Sequence, residues 1–107
     1  MPKFIIYLPF LNVAGMALFP FILIKEKRYR HDKVLINHES IHLVQQLELL
    51  ILPFYVIYLL NYVFNLIKYR EHEKAYLNIF FEKEAYQNEY DLNYLKKRKM
   101  WSFLGFF

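Results

Sequence analysis

The chain has 107 residues, 57% of them hydrophobic and 21% aromatic, with a net charge of +4 and no cysteine. That length holds one domain (1–107), and so small a body cannot bury that many Phe, Tyr, Leu and Ile side chains away from water, so lipid is the expected home of the surplus. Disulfides, thiolate metal sites and Cys nucleophiles are excluded, which leaves any metal to histidine and carboxylate. The positive charge gathers in Lys25-Glu26-Lys27-Arg28-Tyr29-Arg30-His31 and in Lys96-Lys97-Arg98-Lys99. Such blocks suit anionic lipid headgroups, and with no nucleic-acid-binding motif beside them no nucleic-acid partner is expected.

In chain order, the first element is an apolar stretch from Phe4 to Ile24, about as long as a bilayer is thick but interrupted by Pro9, Asn12, Gly15 and Pro20. It spans, re-enters or ends in a strand. With Lys3 as its one early cation and no small-x-small site ahead of the basic block, it is read as retained rather than cleaved. Ala17 to Ile24, rich in large apolar residues and carrying Pro20, fits a short edge strand. Asp32 is placed to cap a helix that begins with Lys33-Val34-Leu35-Ile36. That helix is predicted to run on into Leu47 to Ile67, apolar apart from Glu48, Asn61 and Asn65 and kinked at Pro53. A third helix is predicted from about Glu71 to Tyr90. The tail from Leu92 ends in KKRKMWSFLGFF, whose Trp101, Phe103, Phe106 and Phe107 beside Lys and Arg read as an interfacial anchor.

The chemistry-bearing motif is His38-Glu39-Ser40-Ile41-His42, which reads HExxH. On a helix, positions i and i+4 share a face, so both imidazoles can turn to one metal ion while Glu39 sits beside it as a base. The plainer alternative is two interfacial histidines on an amphipathic helix. A zinc site needs a third ligand, and the downstream candidates are Glu71, His72, Glu73, Glu82, Glu84, Glu89 and Asp91. In a helical Phe81-Glu82-Lys83-Glu84-Ala85-Tyr86, the residues Glu82, Ala85, Tyr86 and Glu89 share one face and Glu84 points elsewhere, with small Ala85 allowing close helix approach. Glu48 reads as a headgroup-level carboxylate, Gln45 and Gln46 as local or headgroup hydrogen-bonders, and His31 and His72 as polar-loop or helix-end residues.

HESIH followed by an F-E-x-x-A element resembles the gluzincin zinc metallopeptidases, especially the integral-membrane CAAX-processing and heat-shock proteases, whose third ligand is a glutamate on a later helix in an E-x-x-A-D context. The run from His38 to Gln46 is also similar to the HExxHxxQQ signature of short bacterial zincin-like proteins. The resemblance implies His38, His42 and Glu82 as ligands to Zn²⁺ and Glu39 as catalytic base. Tyr86 stands where the membrane proteases carry an Asp that orients a ligand histidine; its phenol is a candidate donor to a developing oxyanion.

The expectation is therefore a mainly α, small membrane-associated zincin-like protein, its HExxH helix running into an apolar helix, with a possible short N-terminal strand. Its expected activity is zinc-dependent peptide-bond hydrolysis on a peptide or protein substrate, at a membrane that the resemblance implies is the bacterial inner membrane. Lipid is one expected partner, and a protein partner or second copy to complete a cleft is another. The alternative is a noncatalytic zincin-like membrane subunit that stabilises a larger complex.

Overall fold

Apolar runs of four residues, punctuated by Pro and Gly, are too short for helices and pair instead as strands. In the computed structural model, which describes residues 4–107, β1 is Phe4–Tyr7, β2 is Gly15–Leu18 and β3 is Phe21–Ile24. They form one sheet in the order β1-β3-β2, with β1 parallel and β2 antiparallel to β3. The stretch read as one edge strand from Ala17 to Ile24 is a hairpin. Pro20 sits in its turn, where a residue without an N–H costs no ladder bond, and the edge position falls to β2.

The chain then passes through a 3₁₀ turn at Lys27–His31 into α1, Lys33–Glu48. Asp32 caps α1 as its position predicted, its Oδ1 accepting from the Leu35 N–H at 3.1 Å. This helix has no solvent face worth the name: from Ile36 to Gln46 every residue but Val44 is buried. Ile36 and Leu43 pack with Ala17, Ile22 and Ile24 of the sheet to form one apolar cluster. Its polar residues are buried as well, and that is tolerable only where each finds a partner.

The helix does not run on. At Leu49 to Ile51 the chain turns sharply, Leu50 and Ile51 taking positive φ (59° and 68°), and α2, Leu52–Tyr69, leaves at 113° to α1. Pro53 does not kink a continuous helix; it lies in the first turn of α2, where its missing N–H has no helical acceptor to lose. Among the described residues no single helix is long and apolar enough to cross a membrane; α1 and α2 meet that length and composition only as a bent pair.

The region expected as one helix from Glu71 to Tyr90 is two, α3 (His72–Leu77) and α4 (Phe80–Asn88), interrupted at Asn78 and Ile79. The break is held by Asn61 of α2, whose side-chain oxygen accepts from the Phe80 N–H. A short α5, Tyr94–Lys97, and a 3₁₀ turn at Ser102–Phe106 complete the chain. The tail is only partly the anchor it was read to be. Phe103 is buried against Phe80 and Phe81 in a second apolar cluster with Phe54 and Ile79, whereas Trp101 and Phe107 are exposed.

Arg98, counted with the basic block, is not available to a headgroup. Its guanidinium is buried between Glu48 at the end of α1 and Glu84 of α4, with Nη1 and Nη2 on the two oxygens of Glu48 at 2.9 Å each and Nε on Glu84 at 2.5 Å. Glu48 is thus an internal ion-pair partner rather than a headgroup-level carboxylate.

Candidate metal centre

The α1 helix presents His38 and His42 on one face, and α4 crosses opposite with Glu82 turned toward them. The ligand atoms of these three buried residues lie within 4.8 Å of one another. Glu82 Oε1 is 3.1 Å from His38 Nε2 and 2.9 Å from His42 Nε2, so one carboxylate oxygen faces both imidazoles. Ala85 is fully buried one turn along α4, and its small side chain suits that close crossing.

The remaining atoms of the three residues are engaged. His38 Nδ1 lies 2.9 Å from Glu89 Oε1, and His42 Nδ1 lies 2.8 Å from Gln45 Oε1. Both outer partners present an acceptor oxygen, so each Nδ1 carries the proton and each Nε2 of a neutral ring aims a lone pair at the centre. The second oxygen of Glu82 accepts from the Tyr58 hydroxyl at 2.6 Å. Two imidazole lone pairs and a carboxylate oxygen converging on one point repel unless a cation stands among them. A divalent metal such as zinc fits this donor set of two nitrogens and one oxygen.

Without a metal, protons take that part. Burial alone would lower His42, but the charge and hydrogen bond of Glu82 outweigh it and hold the imidazole up at about 9. Burial would raise Glu82, yet the charge of His42 and the hydrogen bonds from His38, His42 and Tyr58 hold its carboxyl well below the usual carboxylate range. A metal entering at neutral pH would have to displace the proton that Glu82 holds on His42.

Glu39 follows His38 on α1 and is pushed the other way. Burial raises its carboxyl, only partly countered by His42 and His38. It opens onto two cavities that meet at the centre. The inner one, about 240 Å³, is walled by β2 and by Phe54, Tyr55 and Tyr58 of α2. The outer one, about 840 Å³, is bounded by His38, Tyr76, Tyr86 and Glu89. Gly15 starts β2 opposite this point. A Cβ there would come within 3.2 Å of Leu35 Cδ1 and 3.5 Å of Glu39 Oε2, so glycine lets the strand lie close over the carboxylate.

Tyr86 stands edge-on to the His38 ring, centroids 4.5 Å apart, and its hydroxyl is 3.2 Å from that of Tyr76. The carboxylate expected at position 86 to orient a histidine is supplied three residues later by Glu89. Glu84 does point away from the centre, to Arg98, but it is not idle: its Oε1 accepts from Gln45 Nε2 at 2.9 Å. A chain of contacts thus runs from His42 through Gln45 and Glu84 to Arg98 and Glu48. Gln46, read as a local or headgroup hydrogen-bonder, instead grips the hairpin. Its Nε2 donates to Ala17 O and its Oε1 accepts from the Phe19 N–H. His31 is exposed in the 3₁₀ turn, and His72 opens α3 with its Nδ1 against the Tyr62 hydroxyl, both outside the centre.

Tyr58 and Tyr76 line the site although neither belongs to the HExxH or F-E-x-x-A motif. A signal existed. Tyr55, Tyr58, Tyr62 and Asn65 recur every three or four residues through an apolar helix, a polar stripe that must face protein if the rest faces elsewhere. No family model, no curated protein and no solved structure matches this chain.

Proposed function

We propose that this chain is a zinc-dependent metallopeptidase that hydrolyses peptide bonds at a membrane surface. The observation that supports it most is the convergence of His38, His42 and Glu82 within 4.8 Å, with the outer imidazole nitrogens turned to Glu89 and Gln45. His38, His42 and Glu82 would hold Zn²⁺, which when bound would supply Lewis acidity to a scissile carbonyl and to an attacking water. Glu39, buried and raised in pKa beside them, takes the proton of that water and delivers it to the leaving amine. Tyr86, coupled to Tyr76, offers its phenol to the developing oxyanion. The inner and outer cavities give a peptide two sides of Glu39 on which to lie.

The noncatalytic subunit reading rests on the shortness of the chain and on Tyr86 standing where an orienting Asp is expected. Glu89 on His38 answers the second ground, and the hydrolase is the reading favoured. The deciding experiment compares the zinc-loaded parent with Glu39→Gln on a mixed peptide pool followed by mass spectrometry. Cleavage in the parent that falls by about a hundredfold or more in the variant, at equal zinc content, is the expected outcome. Equal product from both proteins would move the assignment to a structural subunit.

A further inference from the structure

The second helix of the fold is built inside out. Along α2 the polar side chains face the protein: Tyr55 donates to Ala17 O, Tyr58 to Glu82, Asn61 accepts from Phe80 N–H, and Asn65 donates to Ala75 O. Its other face is apolar and exposed, with Leu52 at 70%, Leu60 at 63%, Phe64 at 66% and Ile67 at 72%. No charged residue occurs between Leu49 and Ile67. A helix whose polar groups all turn inward while large aliphatic groups turn outward exposes a patch beyond what single scattered surface residues make, and such a patch marks an interaction site.

Charge identifies what covers it. Exposed Lys68, Arg70 and Lys74 stand at the C-terminal end of α2, outnumbering Glu71 and Glu73 there. At the other end the Trp101 N–H donates to Glu48 Oε2 at 2.9 Å, which brings the tail, with exposed Lys96, Lys99, Trp101 and Phe107, to the elbow where α2 begins. An apolar stripe with cations and an aromatic at its ends matches hydrocarbon bordered by anionic headgroups. A second copy of the chain would set these like charges against one another in a symmetric pairing.

Orientation follows from the inner face. At about 1.5 Å per residue an 18-residue helix is about 27 Å long, close to a hydrocarbon core. Crossing it, however, would drag the charged α3, packed along α2, into the bilayer with it. Resting on the membrane location proposed above, we propose that α2 lies flat in one leaflet of an anionic bilayer, its outer face in the acyl region and the whole chain on one side. The same helix contributes Phe54, Tyr55 and Tyr58 to the inner cavity, so the substrate class that fits is a polypeptide segment held at the bilayer surface.

The test is flotation of the purified protein with vesicles of equal parts phosphatidylcholine and phosphatidylglycerol, against pure phosphatidylcholine, with zinc content measured in each sample. The parent is expected to float with the mixed vesicles, less with the neutral ones, and brominated acyl chains should quench Trp101, the one tryptophan. Leu60→Glu/Phe64→Glu, both outward-facing, should lower flotation by about tenfold or more with zinc content unchanged. If the parent binds neither vesicle, the membrane location itself fails. If the double variant floats like the parent, the location stands but this face is overturned. A parent that sediments as a dimer and ignores vesicles assigns the face to a second copy and overturns the lipid assignment.

Discussion

Two histidines at the centre of this molecule are useful because of what their outer nitrogens touch. Glu89 holds His38 and Gln45 holds His42, and each fixes the tautomer that turns Nε2 to Glu82. Glu89→Ala should therefore weaken zinc binding by about 10-fold to 100-fold, with Glu89→Gln, which keeps an acceptor oxygen, closer to the parent; chelator competition measures both. An unchanged affinity in the alanine variant would remove Glu89 from the site. HExxH made the juxtaposition of His38 and His42 legible because helical spacing brings i and i+4 to one face, and the shared face of Glu82 and Glu89 is visible for the same reason. That Glu89 supplies the acceptor for His38 Nδ1 while Tyr86 packs against the ring depends on how α4 crosses α1, and no local spacing encodes a crossing.

Among the elements, α1 was legible from its cap at Asp32, but its end was not. The apolar run from Leu47 onward has no glycine, and its one local signal, Pro53, reads equally as a kink or as the first turn of a new helix, so the sharp turn at Leu50 and Ile51 is not fixed by local sequence. The turn is supported from outside, by the ion cluster at the end of α1, where Arg98 from the tail joins Glu48 to Glu84. All three side chains are buried or nearly so, and removing the cation would strand two carboxylates. Arg98→Met should cost about 3–5 kcal/mol of stability in denaturant unfolding, with part of it recovered when Glu84→Gln is added. A loss within the range of an exposed ion pair would mean that solvent reaches the cluster. Because the same glutamate accepts from Gln45, the tail that read as a membrane anchor also braces His42.

For the molecule as a whole, composition announced more apolar surface than so small a body can bury, and the surplus is exposed along α2 and also on the strands, the elbow and the tail. What composition could not divide was the part that stays exposed from the part that builds the second core. Phe103 and Phe107 sit four residues apart in one tail, the first buried on Phe80 and Phe81, the second almost fully exposed. The N-terminal stretch likewise had the length of a span, and Pro20 and Gly15 make it a hairpin sheet over α1 instead. The sheet, α1, α2 and α4 together enclose one polar point, and the chemistry of the molecule depends on what binds there. Elemental analysis of the purified protein, with His42→Ala and Glu82→Ala processed in parallel, tests it most directly. About one zinc per chain in the parent, lost or strongly reduced in both variants, is the predicted result. A parent that stays free of metal after zinc is added and the excess removed would contradict it.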